Sequence, residues 1–213
     1  MITLHGYPRT RTTRVAWLLE ELGLDWQYQL VDLAKGEHRG KAFRSLNPRG
    51  RVPALHDSDS EALLTESVAI CLYLAERYGN GQWLPQPGSA ESGRHHQWLS
   101  LITAELEQAL WLMGKHKFVL PPELRIPVNV QFGADEFAKL LSEVDDELPE
   151  QGFLLGDRIS VADILMAQTL NWAQAFKLPL TDKAESFRAR MYARPAMQRV
   201  QQREAAVLSD SEH

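Results

Sequence analysis

The stretch NPRGRVPAL occupies residues 47–55, and Thr65-Glu66-Ser67 follows a few residues later. Pro53 stands directly after the β-branched Val52 and before an apolar segment. Because proline cannot donate a ladder hydrogen bond, this turn suits a sheet edge whose neighbour is something other than a strand. Val52 could then offer its N–H and C=O groups to an extended peptide. Taken alone, the turn is also compatible with an ordinary loop that contains a proline and binds no peptide.

Strand and helix patterns alternate on both sides of this turn. Short apolar or alternating segments predict strands at residues 2–5, 26–31, 54–56 and 62–64. A first helix is predicted from the spacing of Val15, Leu18, Leu19 and Leu22, with Gly23 as its C-terminal cap and Thr12 or Thr13 as its N-terminal cap. A second helix is predicted at residues 67–78. The order β-α-β-loop-β-β-α favours a compact α/β unit with a mixed sheet.

The composition changes at residues 79–89, which are rich in glycine and proline, and this stretch is the best domain boundary. Helical patterns follow it near residues 91–114, 130–148, 160–176, 183–193 and 196–206. Ser160 and Asp163 have the spacing of a capping box. We therefore predict a first domain at residues 1–80, a linker at 81–90 and an all-helical domain at 91–213.

The composition indicates a globular protein and the cellular compartment in which we expect it. Apolar residues make up 44% of the 213 residues and the net charge is -5, an ordinary globular balance. The chain contains one cysteine, Cys71, so no internal disulfide forms. The N-terminus shows no signal-peptide pattern, and no apolar run approaches the roughly 20 residues of a membrane helix. These features predict a cytoplasmic protein with no membrane partner.

Charge is distributed unevenly along the chain. Residues 1–51 contain nine Lys/Arg and five Asp/Glu, although the whole protein is acidic. The ordinary explanation is a solvated basic face, and the sharper one is a site for a small anion. Nucleic acid is disfavoured as a partner because the protein as a whole carries net negative charge.

Two further segments carry the groups that such an anion would need. Glu66 and Ser67 open the second helix, and Ser67 is predicted to cap it. Exposed N–H groups at such a helix start bind carboxylates, and Glu66 could pair with an ammonium group. The first loop, GYPRTRTTR at residues 6–14, has several hydroxyls and guanidinium groups before the first helix. An anionic sulfur would gain there from hydroxyl donors and the helix dipole. A capped helix and solvated arginines are the alternatives.

The sequence resembles the cytosolic glutathione transferases of the bacterial type, with a serine/threonine-like first loop. The stretches that carry the resemblance are TRVAWLLEELGL, NPRGRVPAL, LTESVAICLYL and GDRISVADILMA. It implies a thioredoxin-like N-terminal domain, an all-α C-terminal domain and a homodimer. It also implies glutathione as co-substrate, no metal, and a cis bond before Pro53.

The resemblance assigns roles to individual residues. Val52 would bind the cysteinyl unit of glutathione through its main chain, Glu66 and Ser67 would hold the γ-glutamyl end, and Arg51 would approach a carboxylate. The family uses a Tyr, Ser or Cys of the first loop to activate the thiol, and the serine position falls near Thr10. Thr12 and Thr13 stay open as alternatives, whereas Tyr7 is displaced from the tyrosine position. Cys71 lies inside a helix and suits the core.

An electrophile pocket is expected between the first loop and the first helices of the second domain. Trp111 and His116 are its candidates by location, together with Met113 and Phe118. His95 and His96 are neighbours without further metal ligands, and we expect them at the surface.

The function predicted from these features is conjugation of glutathione, held as thiolate, to a hydrophobic electrophile. Two alternatives remain open: a glutathione-dependent reductase, peroxidase or dehalogenase, and a non-catalytic binding module on the same scaffold.

Overall fold

The computed structural model describes residues 1–210 and divides them into two compact units. The first unit consists of Met1–Leu84 together with residues 192–210, and the second is Pro85–Met191. The last helix of the chain therefore groups with the first unit, whereas the sequence assigns it to the helical domain. None of the helices within residues 1–210 has both the length and the apolar character of a membrane span.

The first unit is built on a four-stranded mixed sheet. Its elements in chain order are β1 (Ile2–Gly6), α1 (Thr12–Glu21), β2 (Trp26–Leu30), α2 (Lys41–Leu46), β3 (Ala54–Asp57), β4 (Ala62–Thr65), α3 (Ser67–Tyr78) and, at the chain end, α9 (Pro195–Asp210). The strand order is β2-β1-β3-β4. β1 and β2 run parallel across the α1 crossover, while β3 and β4 form an antiparallel hairpin on the other side of β1.

The register brings three segments to one edge of this sheet. His5 near the end of β1 pairs with Ala54 at the start of β3, and Ala54 pairs with Thr65 at the end of β4. The loop after β1, the turn before β3 and the start of α3 after β4 consequently leave the sheet at the same edge. The three sequence features of interest are therefore neighbours in space, although up to 60 residues separate them along the chain.

The core of the first unit comes from the apolar faces of α1 and α3 and from the central strands. Fully buried side chains include Val15, Leu18, Leu19, Leu55, Ile70 and Leu74. Gly23 follows α1 with φ +64, and the N–H groups of Gly23 and Leu24 bond back to Glu20 and Leu19. The predicted helix, its buried stripe and its glycine cap are thus confirmed.

The second unit is helical, with α4 (Ala90–Leu101), α5 (Glu107–Gly114), α6 (Pro127–Val144), α7 (Val161–Ala175) and α8 (Asp182–Tyr192). The predicted helix at 91–114 is interrupted by a π-helical turn at Ile102–Leu106, and a second such turn at Lys115–Val119 follows α5. Before α7, the Ser160 N–H donates to the Asp163 carboxylate at 2.8 Å, so the capping box is present. The two-part fold class, thioredoxin-like α/β plus all-α, is confirmed.

Three local predictions need correction. Residues 37–46, which read as loop because of their polarity, form a 3-10 turn at Glu37–Arg39 and the short helix α2. Neither Thr12 nor Thr13 caps α1, because Arg11 occupies the cap position and makes no capping hydrogen bond through its side chain. Ser67 is likewise the first residue of α3 and not its cap, which is Glu66.

Candidate functional site

The first loop presents one half-buried threonine hydroxyl, that of Thr10. Its Oγ1 donates to the Tyr7 carbonyl oxygen at 2.6 Å and accepts the Thr12 N–H at 3.2 Å. The Thr10 and Thr12 hydroxyl oxygens lie 2.9 Å apart. Thr10 thus sits just before the start of α1, where the N-terminal N–H groups of the helix attract negative charge.

The side chains of Thr12 and Thr13 are buried and form hydrogen bonds within the protein. Thr12 is fully buried, its Oγ1 accepts the Tyr7 N–H, and its side chain packs on Gly6, where an added Cβ would lie 2.1 Å from the Thr12 methyl carbon. Thr13 is 7% exposed and donates to Glu204 at 2.6 Å. Of the three threonines that the sequence leaves open, Thr10 is therefore the one with solvent access.

The turn before β3 is held by Asn47. The Val52–Pro53 bond is cis, as the resemblance implies. The Asn47 Nδ2 donates to the Arg51 carbonyl oxygen at 2.5 Å, and its Oδ1 accepts the Arg49 N–H at 3.1 Å. Val52 precedes Ala54, the first residue of both ladders that contain β3. The main chain of Val52 consequently lies at the edge of the sheet, before the first residue of β3 that pairs with β1 and β4.

Gly50 completes this turn, where any residue with a Cβ would be strained and crowded. Its φ is +62, and a Cβ would lie 2.8 Å from the His38 carbonyl oxygen. This close approach packs the 3-10 turn of residues 37–39 against the turn before β3. His38 therefore lies near the predicted site, which sequence reasoning missed because residues 37–46 read as loop.

Glu66 and Ser67 differ in their surroundings. Glu66 is a non-glycine residue with φ +67, and its exposed carboxylate lies 3.7 Å from the Arg49 guanidinium. Left-handed backbone at such a residue is uncommon and concentrates at functional sites. Ser67 is 6% exposed, and its Oγ accepts a hydrogen bond from Arg14 Nη1 at 3.5 Å.

The sequence counts Arg14 among the arginines of the first loop, but its burial and its contact with Ser67 were not predicted. Its side chain is fully buried on α1, and it brings a guanidinium group to the first residue of α3. The helical spacing placed apolar residues on this face, and no pattern signalled a buried cation among them. The result is a positively charged group beside a helix N-terminus, a combination that favours a bound carboxylate.

Family models and relatives match most of this chain. The family model described as glutathione S-transferase, N-terminal domain, matches residues 10–77, and that of the C-terminal domain matches residues 130–195. The glutathione S-transferase GstA of Escherichia coli O157:H7 is 33% identical over 183 residues, which are 84% of this chain and 87% of that protein. The chain belongs to the glutathione S-transferase family.

Solved structures of glutathione transferases superpose over almost the whole chain. One from Methylococcus capsulatus is 30% identical with a TM-score of 0.84 and covers 97% of this chain and 100% of its own. Another, URE2P8 from Phanerochaete chrysosporium with oxidized glutathione, is 25% identical with a TM-score of 0.84 and covers 98% and 96%. The predicted family, its bacterial type and the two-part fold are confirmed.

The single cysteine of the chain, Cys71, is not accessible to a ligand. It is fully buried on α3, and its Sγ lies 3.9 Å from the Arg14 carbonyl oxygen. Burial raises the pKa of the Cys71 thiol to about 12. Because a thiol with so high a pKa stays protonated at neutral pH, Cys71 is a core residue, as the sequence predicts.

The glutathione S-transferase fold here carries a strongly basic surface next to the turn before β3. Residues 35–51 contain six Lys/Arg and one acid, and all six cationic side chains are exposed. Arg39, Lys41, Arg44 and Ser45 line an open depression of about 440 Å³. Part of the uneven charge of the sequence is thus gathered around this depression, and we call the exposed surface of residues 35–51 the basic face.

The electrophile candidates lie in the second unit. Trp111 is half-buried on α5. The His116 Nδ1 accepts the Ile126 N–H at 3.1 Å, and its Nε2 lies 2.9 Å from the Asn129 amide nitrogen. Both ring nitrogens of His116 are therefore engaged in fixing the start of α6, which leaves the ring face for any further contact. Trp111 and His116 stay predictions.

The expectation that both neighbouring histidines are exposed is wrong for His95. This side chain is 1% exposed because it shares the inward face of α4 with Ser92, Trp98 and Leu99. Burial, followed by the charge of His96, lowers the pKa of His95 to about 4. His95 is thus a neutral core residue at neutral pH.

Proposed function

We propose that the protein binds glutathione at the edge of the sheet, ionises its thiol and conjugates it to a hydrophobic electrophile. The observation that supports this most directly is the register of β1, β3 and β4. It brings the Thr10 loop, the Val52–Pro53 turn and the Glu66–Ser67 start of α3 to one edge. A tripeptide with a charged head, an extended backbone and a thiol fits these three segments in turn.

Each part of glutathione has a partner of matching chemistry. The γ-glutamyl carboxylate would accept hydrogen bonds at the N-terminus of α3 from the Ser67 hydroxyl and the main chain, with the Arg14 guanidinium behind them. The γ-glutamyl ammonium would pair with Glu66. The cysteinyl unit would form strand-like hydrogen bonds with the Val52 main chain. The exposed Arg51 would attract the glycyl carboxylate.

The thiol would then face Thr10 and the start of α1. The Thr10 hydroxyl donates to the Tyr7 carbonyl oxygen, so its hydrogen has to turn away from that oxygen to bond the sulfur. Lowering the pKa of a thiol from about 8.5 by about two units makes it mostly thiolate at neutral pH, for roughly 2.7 kcal/mol. A hydrogen bond to a charged group, about 1.5–3 kcal/mol, plus the helix dipole, about 0.3–1 kcal/mol, supplies that amount.

The reaction that follows is a nucleophilic transfer. The thiolate sulfur forms a bond to an electrophilic carbon, and the leaving group departs with its bonding electrons. Holding both reactants in one site removes much of the entropic barrier to their encounter. The names of the relatives support the transferase over the reductase, peroxidase, dehalogenase and non-catalytic alternatives. We also propose that the protein is a homodimer and works in the reducing cytoplasm. Trp111 would lie near the bound electrophile.

Binding and thiol ionisation test this function separately. We expect glutathione to raise the melting temperature of the wild-type protein and to be titratable by calorimetry. Ser67→Ala should weaken binding about tenfold, since it removes a hydrogen bond to a charged group. The matched control is Glu76→Ala, a change at an exposed residue farther along α3. A wild-type protein that is neither stabilised nor titrated by glutathione would refute the proposal.

A further inference from the structure

Glu204 on α9 is a buried carboxylate directly behind the first loop. The side chain is 7% exposed, and both of its oxygens are used. Oε1 accepts the Thr13 hydroxyl at 2.6 Å, and Oε2 accepts the Arg9 N–H at 3.3 Å. About 190 residues separate the carboxylate from these partners along the chain, so only the docking of α9 brings them together.

The two partners of Glu204 bracket Thr10. Arg9 precedes it with a left-handed backbone (φ +58), and Thr13 follows it in the first turn of α1. A non-glycine residue at positive φ needs support from its surroundings, because the conformation is unfavourable by itself. Here the carboxylate supplies that support on both sides of the proposed thiol contact.

The helix that carries Glu204 is anchored to α1 independently of the loop. The Arg194 guanidinium lies 2.5 Å from the Glu21 carboxylate, and Arg199 and Arg203 both lie 2.7 Å from Glu20. Arg203 also stacks 4.8 Å above the centre of the Trp26 ring. These contacts are redundant, since Arg199 and Arg203 share Glu20 and Arg194 binds Glu21, so α9 and its carboxylate should stay in place when one of them is removed.

Keeping a carboxylate here is costly, which argues against a passive packing role. Burial raises the pKa of Glu204, and the hydrogen bonds from Thr13 and Arg9 offset this only in part. An apolar side chain would avoid that cost but could not hold the loop.

We propose that Glu204 is a positioning residue for the transferase reaction, which fixes the Thr10 hydroxyl against the glutathione thiol by holding Arg9 and Thr13 on either side of it. This role rests on the proposed function. It makes the C-terminal helix part of the thiol-activating machinery, although α9 provides no atom that touches glutathione.

The test compares Glu204→Gln with Arg199→Gln. The amide introduced by the first change keeps the shape of the side chain, but it has only one acceptor for the two donors. Arg199→Gln removes one anchor of the same helix without touching the loop. We expect Glu204→Gln to raise the pKa of bound glutathione by about one unit and to lower kcat/KM about threefold at neutral pH. The Kd for glutathione should change less than twofold, and Arg199→Gln should leave all three values near wild type.

Thr13→Val is the second variant, which removes the same hydrogen bond from the loop side. It should raise the bound thiol pKa as Glu204→Gln does, and the double variant should be no worse than the more severe single variant, since both break one interaction. An unchanged thiol pKa in both single variants would overturn the proposal. So would an equal shift in Arg199→Gln, which would indicate a general loosening of α9.

Amide hydrogen exchange tests the contact between Glu204 and the first loop in the absence of glutathione. The Arg9 amide should exchange about tenfold faster in Glu204→Gln than in wild type, because a neutral amide oxygen replaces its charged acceptor. Unchanged protection would refute the positioning role even if glutathione binds. If the Arg9 amide exchanges faster in Glu204→Gln but the wild-type protein does not bind glutathione, the proposed function is refuted. The conclusion that Glu204 holds the first loop would still stand.

Discussion

At the scale of single residues, Thr10 carries the chemistry that we propose. Thr10→Ser keeps the hydroxyl, and we expect kcat/KM to stay within about threefold of wild type. Thr10→Val removes the donor, so the pKa of bound glutathione should rise by up to about two units, with a loss of up to about 25-fold in kcat/KM at neutral pH. Thiolate absorbance of bound glutathione against pH measures the shift. Equal thiol pKa values in Thr10→Val and wild type would show that another group activates the sulfur.

Gly6 determines whether the first loop can pack at all. A Cβ at this position would lie 2.1 Å from the Thr12 methyl carbon and 2.4 Å from its Oγ1. Gly6→Ala should therefore lower the free energy of unfolding by about 2–3 kcal/mol, measured by urea denaturation. The matched control is Gly93→Ala on α4, where nothing lies within 4 Å of an added Cβ. That change should stabilise the helix by about 1 kcal/mol, and a loss of stability there would contradict this account.

At the scale of elements, the β3–β4 hairpin is tied to α3 through a buried carboxylate. The Asp57 Oδ2 accepts the Tyr73 hydroxyl at 2.5 Å and the Tyr78 hydroxyl at 2.6 Å. Burial alone would raise the pKa of Asp57, but these hydrogen bonds outweigh it and lower the value to about 2. The ionised carboxylate is thus the form that joins hairpin and helix.

This linkage predicts a stability profile at acid pH. Because the folded pKa of Asp57 is lowered from 3.8, its contribution is fully present above about pH 4 and is lost as the pH falls toward about 2. Asp57→Asn should reduce the free energy of unfolding by about 2–3 kcal/mol at pH 7 and by much less near pH 2. Urea denaturation from pH 2 to 7 measures the difference, with the exposed Asp157→Asn as control. A difference that does not depend on pH would exclude the role of ionised Asp57.

Local patterns in the sequence predicted the elements well, because their signals depend on neighbours in the chain. The helical spacing of Val15 and Leu18, the Gly23 cap and the Ser160–Asp163 capping box all correspond to structure. Contacts between distant segments left no such signal. Arg14 beside Ser67 and Glu204 behind the first loop arise from docking of helices, which no periodicity of 3.6 or 2 residues encodes.

At the scale of the whole molecule, charge is separated between the basic face and an otherwise acidic protein. The net charge is -5, yet residues 35–51 carry six Lys/Arg and one acid. Glutathione is an anion at neutral pH, and a local cationic surface raises its concentration near the site. This surface lies beside the turn that we propose for the glutathione backbone, so it should speed binding more than it strengthens the bound state.

Ionic strength and charge reversal test this steering. Raising the salt concentration from about 0.02 to about 0.5 M should raise the KM for glutathione about threefold in wild type, because screening weakens attraction between exposed charges. The double variant Arg39→Glu/Lys41→Glu should have the higher KM already at low salt and lose most of the salt dependence. The matched control, Lys139→Glu/Arg158→Glu, makes the same charge change at exposed residues of the second unit. If that control shifts the KM and its salt dependence equally, overall charge and not the basic face governs the approach of glutathione.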